Sequence, residues 1–389
     1  MGVNGSSACK VCGAAALEEI PEFAALPRIT SDCVPFRAGG SLAVCGHCGG
    51  AQAIAGERWL ADIGEIYGKY QIYHQSGGVE QYVLDPRAGA LRPRSEVLAE
   101  RLEGLPAVPH SGSLLDVGCG TGGTLRAFAA RGGWELYGLE MDERNLPFVG
   151  AVPGFVRLYN CQVRELPRQF DLITMVHSLE HFPEPHEVLT DLRGKLSAAG
   201  KLFIEVPNGA ANPFEYVVAD HMVHFSPETL AALLERAGFG VDCLATDWVT
   251  KELSAVAHPA SGDAAPARRT GSVTRVRQQI AWLEALSAAA RDAAGKTDSF
   301  GLFGTAIAAA WLWQSVGDRV EFFVDEDIHR IGRTYLGRPV LRPDQAPPGS
   351  LVFLGLIPRI ASAVRAKLQH LPLELRMPPP FGWEEQYKE

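Results

Sequence analysis

No apolar run in this chain reaches the ~18 consecutive residues that a membrane-crossing helix needs. The first residues lack the basic segment and apolar core of a secretory signal, so a cytoplasmic location is expected, with no membrane partner. Positive charge is in deficit: 36 Lys and Arg against 45 Asp and Glu leave a net charge of −9. A broad nucleic-acid footprint needs a basic face, so no nucleic-acid partner is expected. Internal repeats are absent, apart from two strand–turn–helix openings described below. What remains is ordinary for a globular protein, with 47% apolar and 21% charged residues. At 389 residues the chain is longer than a single core supports, so two or three domains are expected.

The eight cysteines are unevenly spread. Cys9-Lys10-Val11-Cys12 and Cys45-Gly46-His47-Cys48 form two C-x2-C knuckles. In a reducing compartment such pairs read as one tetrahedral zinc site with a structural role, rather than as disulfides. The candidate ligands are Cys9, Cys12, Cys45 and Cys48, and His47 reads as a spectator. Cys33, Cys119, Cys161 and Cys243 read as packing residues.

The most informative stretch is Leu114-Leu115-Asp116-Val117-Gly118-Cys119-Gly120-Thr121-Gly122-Gly123. It is an apolar strand running into a glycine-rich turn, which lets backbone approach a ligand closely. The next strand, Leu136 to Leu139, ends on Glu140, an acid placed to accept hydrogen bonds from a ribose diol. Asp116 would repel a pyrophosphate and suits a cationic ligand with an amino-acid tail. These residues resemble the first motif of the class I S-adenosylmethionine-dependent methyltransferases, D-x-G-C/A-G-x-G. The resemblance implies cofactor contacts from Asp116, Gly118, Gly120 and Glu140. Met141 and His177 are further cofactor candidates, and Gln162 is a candidate for the adenine edge.

Along the chain, residues 1–60 read as the zinc module and 61–110 as a connector with the substrate-facing tyrosines Tyr67, Tyr70 and Tyr73. Residues 111–258 read as an α/β core with a doubly wound parallel sheet. Its expected elements are a helix over 124–131 and strands over 134–140, 170–176 and 201–206. A helix over 186–195, a Ser226-capped helix over 227–237 and a strand over 241–245 complete the list. Residues 259–298 read as a linker (259–271) followed by a long amphipathic helix over 272–293. Residues 299–389 restart the pattern as a second Rossmann-like unit. Its Gly301/Gly304 turn is too sparse to assert a nucleotide. Arg330, Arg333 and Arg338 near it read as solvated rather than ligand-facing.

The loop His177-Ser178-Leu179-Glu180-His181 follows a core strand and should face the cofactor. A second segment, Ala219-Asp220-His221-Met222-Val223-His224, precedes the capped helix. The order of parts resembles the three-domain NDP-sugar C-methyltransferases, with an N-terminal four-cysteine zinc domain, a methyltransferase core and a C-terminal Rossmann-like domain. The resemblance implies that Tyr73 and His181 position the acceptor and that His221 is the general base, with Asp220 orienting it. It also implies a small-molecule acceptor, a sugar or nucleotide-sugar. The family's tyrosine in the second segment is here Val218, so one hydroxyl aimed at a developing oxyanion is missing. O-methylation of a sugar or another natural product, which needs one base and in-line placement, stays open. So do an RNA methyltransferase gripping its substrate through the zinc module, and a non-catalytic cofactor-binding scaffold.

Overall fold

The computed structural model of the protein describes residues 8–85, 87–260 and 273–381. The central sheet has seven strands: β1 Gly112–Val117, β2 Trp134–Leu139, β3 Phe155–Tyr159, β4 Phe170–Val176, β5 Leu196–Pro207, β6 Phe239–Ala245 and β7 Glu252–Pro259. They are ordered β3-β2-β1-β4-β5-β7-β6. The sheet is parallel from β3 to β5. β7 runs antiparallel to both its neighbours, which corrects the expectation of an all-parallel sheet. Only six residues join β6 to β7, enough for an antiparallel return and too few for the crossover a parallel strand needs. β4 reads Phe-Asp-Leu-Ile-Thr-Met-Val and is buried on both faces, as suits a central strand of a covered sheet.

Helices α1 Gly123–Ala129, α2 Pro185–Arg193 and α3 Pro227–Arg236 flank this sheet. α3 begins where the sequence predicts. Thr229 N donates to Ser226 Oγ, Ser226 N donates back to Thr229 Oγ1, and Pro227 fills a position that needs no donor. Strand order reverses between β1 and β4, so the loops after these two strands open a crevice at the carboxyl edge of the sheet.

The N-terminal sheet is not built from the first sixty residues alone. Strands Leu17–Glu19, Leu42–Cys45 and Ala51–Ala53 are antiparallel, and Val223–His224 adds a fourth strand beside Ala51–Ala53. The segment carrying His221 is thereby stitched to the cysteine knuckles. The expected linker lies, from residue 261 onward, outside the described residues, as does Ser272. A long helix, α4 Val273–Ala294, then leads to a second sheet. Its strands are β8 Phe300–Phe303, β9 Phe322–Val324, β10 Arg338–Leu341, β11 Leu351–Phe353 and β12 Glu374–Arg376, parallel in the order β10-β9-β8-β11-β12. Helix α5 Ile307–Val316 follows the turn at Gly304. Trp311 of α5, Leu283 and Leu286 of α4, and Ile29 and Phe214 share one apolar core, which joins the C-terminal unit to the rest.

Candidate active site

The glycine turn after β1 is shaped by its backbone. Gly118, Gly120 and Gly122 all have positive φ (74°, 47° and 83°), a region that favours glycine. A Cβ at Gly118 would lie 2.7 Å from Ser178 Cβ, so the loops after β1 and β4 close onto each other there. Glu140 ties the turn to the tip of β2: Gly120 N donates to its Oε2 at 2.9 Å and Asp142 N to its Oε1 at 2.9 Å. Each carboxylate oxygen keeps a second lone pair for a ribose hydroxyl. Asp116 is buried and accepts a bond from Thr174 Oγ1 at 2.7 Å. Burial pushes its carboxyl up to about 7. A cationic amine beside it would pull that value down again.

A cavity of about 1280 Å³ opens from this turn. Among its lining residues are Asp116, Gly118, Gly120, Glu140, Met141, His177, His181, His221 and Tyr73. Two expected site residues do not line it. Gln162 is exposed and heads a short turn, where its backbone N–H donates to Glu165 Oε2. It therefore offers no edge to an adenine here, and the sequence expectation for it is corrected. Asp220 is fully buried behind the wall. Its Oδ1 accepts from Ser31 N at 2.9 Å and its Oδ2 from Ser31 Oγ at 2.5 Å.

The orientation of His221 is also corrected. Its Nδ1 lies 2.6 Å from Glu215 Oε1, and the same oxygen is 3.3 Å from His224 Nδ1. Asp220 instead faces His181, whose Nδ1 is 3.1 Å from the Asp220 carbonyl oxygen and 3.4 Å from Oδ2. Adjacent residues on an irregular backbone point to different partners, and sequence adjacency could not decide which. Backbone bonds bring the two histidine loops together: Met222 N donates to Glu180 O, and Ala53 N donates to Met222 O. The His181 and His221 rings meet edge to face, with centroids 4.6 Å apart. Burial pushes both down to about 4, so both are neutral at pH 7 and keep a lone pair.

Tyr67 of the connector lines the cavity as expected of a substrate-facing tyrosine, and three further lining residues, Arg94, Glu252 and Glu215, escaped the sequence reading. Tyr67 OH is 3.1 Å from His181 Nδ1. Arg94 is buried, donates to Gln81 Oε1 at 2.8 Å and lies 3.8 Å from Glu252 Oε1, and its Nε has no partner among the described residues. Glu252 stands at the start of β7, its carboxyl pushed up to about 7 by burial. Glu215 sits in a single 3-10 turn, Pro213–Val217, that has no periodic signature. On the far side, Gly304, Ala306, Ile307 and Arg330 of the C-terminal unit line the same cavity. Arg330 is thus not simply solvated: it lies between Asp325 (3.7 Å) and Asp327 (3.3 Å) and reaches the cavity. Arg333 donates to His329 O, and Arg338 pairs with exposed Asp318.

The four knuckle cysteines gather as one cluster, their Sγ atoms all within 4.8 Å of one another. Cys9 Sγ is 3.5 Å from Cys48 Sγ, and Cys12 Sγ is 3.7 Å from Cys45 Sγ. Four thiols at this separation fit a tetrahedral zinc ion with no open position.

A methyltransferase-domain family model matches residues 91–244. Among curated proteins, the ubiquinone biosynthesis O-methyltransferase of Acinetobacter baumannii (strain ACICU) is 24% identical over 177 residues, covering 43% of this chain and 64% of that protein. The enzyme of the same name from Pseudomonas paraeruginosa (strain DSM 24068 / PA7) is 31% identical over 115 residues, covering 28% of this chain and 48% of its own. The chain thus spans about half to two thirds of the length of these relatives. Among solved structures, the CcbJ methyltransferase from Streptomyces caelestis aligns with a TM-score of 0.37 at 15% identity, over 51% of this chain and 96% of its own. The glycopeptide N-methyltransferase MtfA complexed with S-adenosylmethionine aligns with a TM-score of 0.35 at 16% identity, over 42% of this chain and 93% of its own. The glycine turn and the Glu140-tipped second strand fall within residues 91–244, the stretch that matches the methyltransferase-domain model, so this part of the chain is an S-adenosylmethionine-dependent methyltransferase domain.

Proposed function

We propose that the protein transfers the methyl group of S-adenosylmethionine to a small carbohydrate acceptor, a sugar or nucleotide-linked sugar of the cytoplasm. The observation that carries this reading is the single cavity of about 1280 Å³, which runs from the glycine turn past two facing imidazoles to the Gly304 turn of the second sheet. That volume exceeds the ~300–1,000 Å³ of most single-ligand pockets. It suits a cofactor and a polar acceptor side by side. In this reading Glu140 takes the ribose hydroxyls, and Met141 contributes to the adenine pocket. Asp116 and the buried Arg94 take the amino and carboxylate groups of the methionyl tail. His177 lies on the floor near the methyl. A structural zinc on Cys9, Cys12, Cys45 and Cys48 fastens the wall that carries the acceptor side. Net charge of −9 speaks for a small acceptor rather than RNA.

His221 is the general base, held by Glu215, while His181 and Tyr73 position the acceptor. On a carbon α to a sugar ketone, Nε2 of His221 takes the proton and the C–H electron pair becomes the enolate. The enolate carbon then attacks the methyl in line with sulfur, and S-adenosylhomocysteine departs with the S–C electron pair. A second reading, O-methyl transfer, has its own support: the curated relatives above are O-methyltransferases, and Val218 offers no hydroxyl to an enolate. There His221 takes a hydroxyl proton and the oxygen attacks.

Isotope-labelled methyl transfer to a panel of nucleotide-linked sugars, free sugars and phenols tests both. Mass spectrometry and NMR of the product identify the methylated atom. Transfer to a sugar supports the first reading, and transfer only to phenols overturns it.

A further inference from the structure

Glu180, His181 and His221 each offer one ligand atom at the acceptor end of the cavity, and these atoms lie within 4.8 Å of one another. Both rings are already set. His181 Nδ1 lies against the Asp220 carbonyl oxygen at 3.1 Å, and His221 Nδ1 lies against Glu215 Oε1 at 2.6 Å. A ring that donates its Nδ1–H to a carbonyl or carboxylate keeps its Nε2 lone pair free and fixed in direction. This is the usual setting of a metal-bound histidine.

Glu180 supplies an independent observation. Its side chain is 1% exposed and lines the cavity, yet neither carboxylate oxygen has a hydrogen-bond partner among the described residues. His177 Nδ1 lies 3.4 Å from its Oε1. A buried carboxylate left without a hydrogen bond is costly unless it holds a proton or meets a cation. Two imidazoles and one carboxylate make a three-ligand set that leaves a fourth position open.

We propose that Glu180, His181 and His221 form a second metal site, distinct from the four thiols, which takes a divalent cation of the zinc class and switches the base off. The consequence for turnover rests on the reading of His221 as the base. A cation at Nε2 occupies the lone pair that would otherwise receive the acceptor's proton. Filling of this site therefore lowers turnover, and removal of the cation restores it. With two nitrogen and one oxygen ligand, the site is weaker than a four-thiolate site and fills after it.

Titration of the protein as purified with cobalt(II) tests this. The expected result is one added equivalent per chain, with visible d–d bands and no thiolate charge-transfer band. Glu180→Gln keeps the shape of the side chain and should lose this equivalent, while its S-adenosylhomocysteine affinity stays at the wild-type value. Glu215→Gln, which removes the orienting carboxylate, should weaken cobalt binding ~10–100-fold. In the wild type the added equivalent should depress methyl transfer, and a mild chelator should restore it. No added equivalent, an equivalent that survives in Glu180→Gln with unchanged affinity, or full turnover with the cation bound would each overturn the proposal. Methyl transfer by chelator-treated protein is a separate readout: its absence across every acceptor sinks the functional reading, while the cobalt stoichiometry still decides the site.

Discussion

His221 Nδ1 lies 2.6 Å from Glu215 Oε1, and this contact, not the adjoining Asp220, sets the direction of the ring. Glu215 in turn bridges to His224, whose backbone pairs with Ala51 in the N-terminal sheet. The proposed base is therefore anchored at one remove to the strand pairs that end in the cysteine knuckle. Substituting along this chain separates chemistry from support.

Replacing His221 with Ala should cut turnover by ~10²–10⁴, the range for loss of a general base. S-adenosylhomocysteine affinity, read by calorimetry, should stay at the wild-type value. A variant that melts earlier but turns over normally per folded molecule would reduce His221 to a packing residue. Because burial holds the ring down to about 4, wild-type activity should stay level from pH 8 to ~5 and fall only below that.

Replacing Glu140 with Ala should weaken cofactor binding by ~1–3 kcal/mol, the cost of hydrogen bonds lost from a charged partner. Part of that loss is indirect, since Glu140 also holds Gly120 N and Asp142 N in place. Calorimetry returning the wild-type affinity would remove Glu140 from the cofactor site.

Cys45 ends a strand whose neighbour, Ala51–Ala53, pairs with Val223–His224. Cys45→Ser should release the zinc proposed for the four thiols, lower the melting temperature and reduce turnover through the disturbed His221 segment, even though it lies outside the cavity lining. Metal analysis of the purified variant at full zinc content would contradict the assignment.

Glu205 is buried on β5, where burial pushes its carboxyl up to about 8. The group is then neutral when folded and ionised when unfolded between pH ~4.5 and 8. Stability from the neutral form is complete below the unfolded value and is lost as pH rises toward 8. Glu205→Gln, which cannot ionise, should therefore gain melting temperature relative to the wild type between pH 5 and pH 8.5. A difference that stays constant across that range would show that Glu205 is already ionised in the folded protein.

The sequence by itself determined the parts whose signal is local. The strand–glycine turn at Asp116 to Gly122, the acid at Glu140, the two C-x2-C knuckles and the Ser226 cap each depend on residues close together in the chain. Their φ angles and backbone bonds follow from side chains a few positions away. Strands β3 and β7 went unseen because Phe155–Tyr159 and Glu252–Pro259 carry no flanking helix pattern; β7 pairs with its hairpin neighbour β6 on one side and with distant β5 on the other. Tertiary structure alone decided that Asp220 turns to Ser31 and His181 while Glu215 takes His221. It also decided that Arg94 and Glu252 lie under the cavity, that Gln162 lies outside it, and that the Gly304 turn forms its far wall. These outcomes depend on which buried polar groups find partners once separate segments pack together. Pairing between residues far apart in the chain is an energetic choice of the whole fold, and no short stretch of sequence contains it.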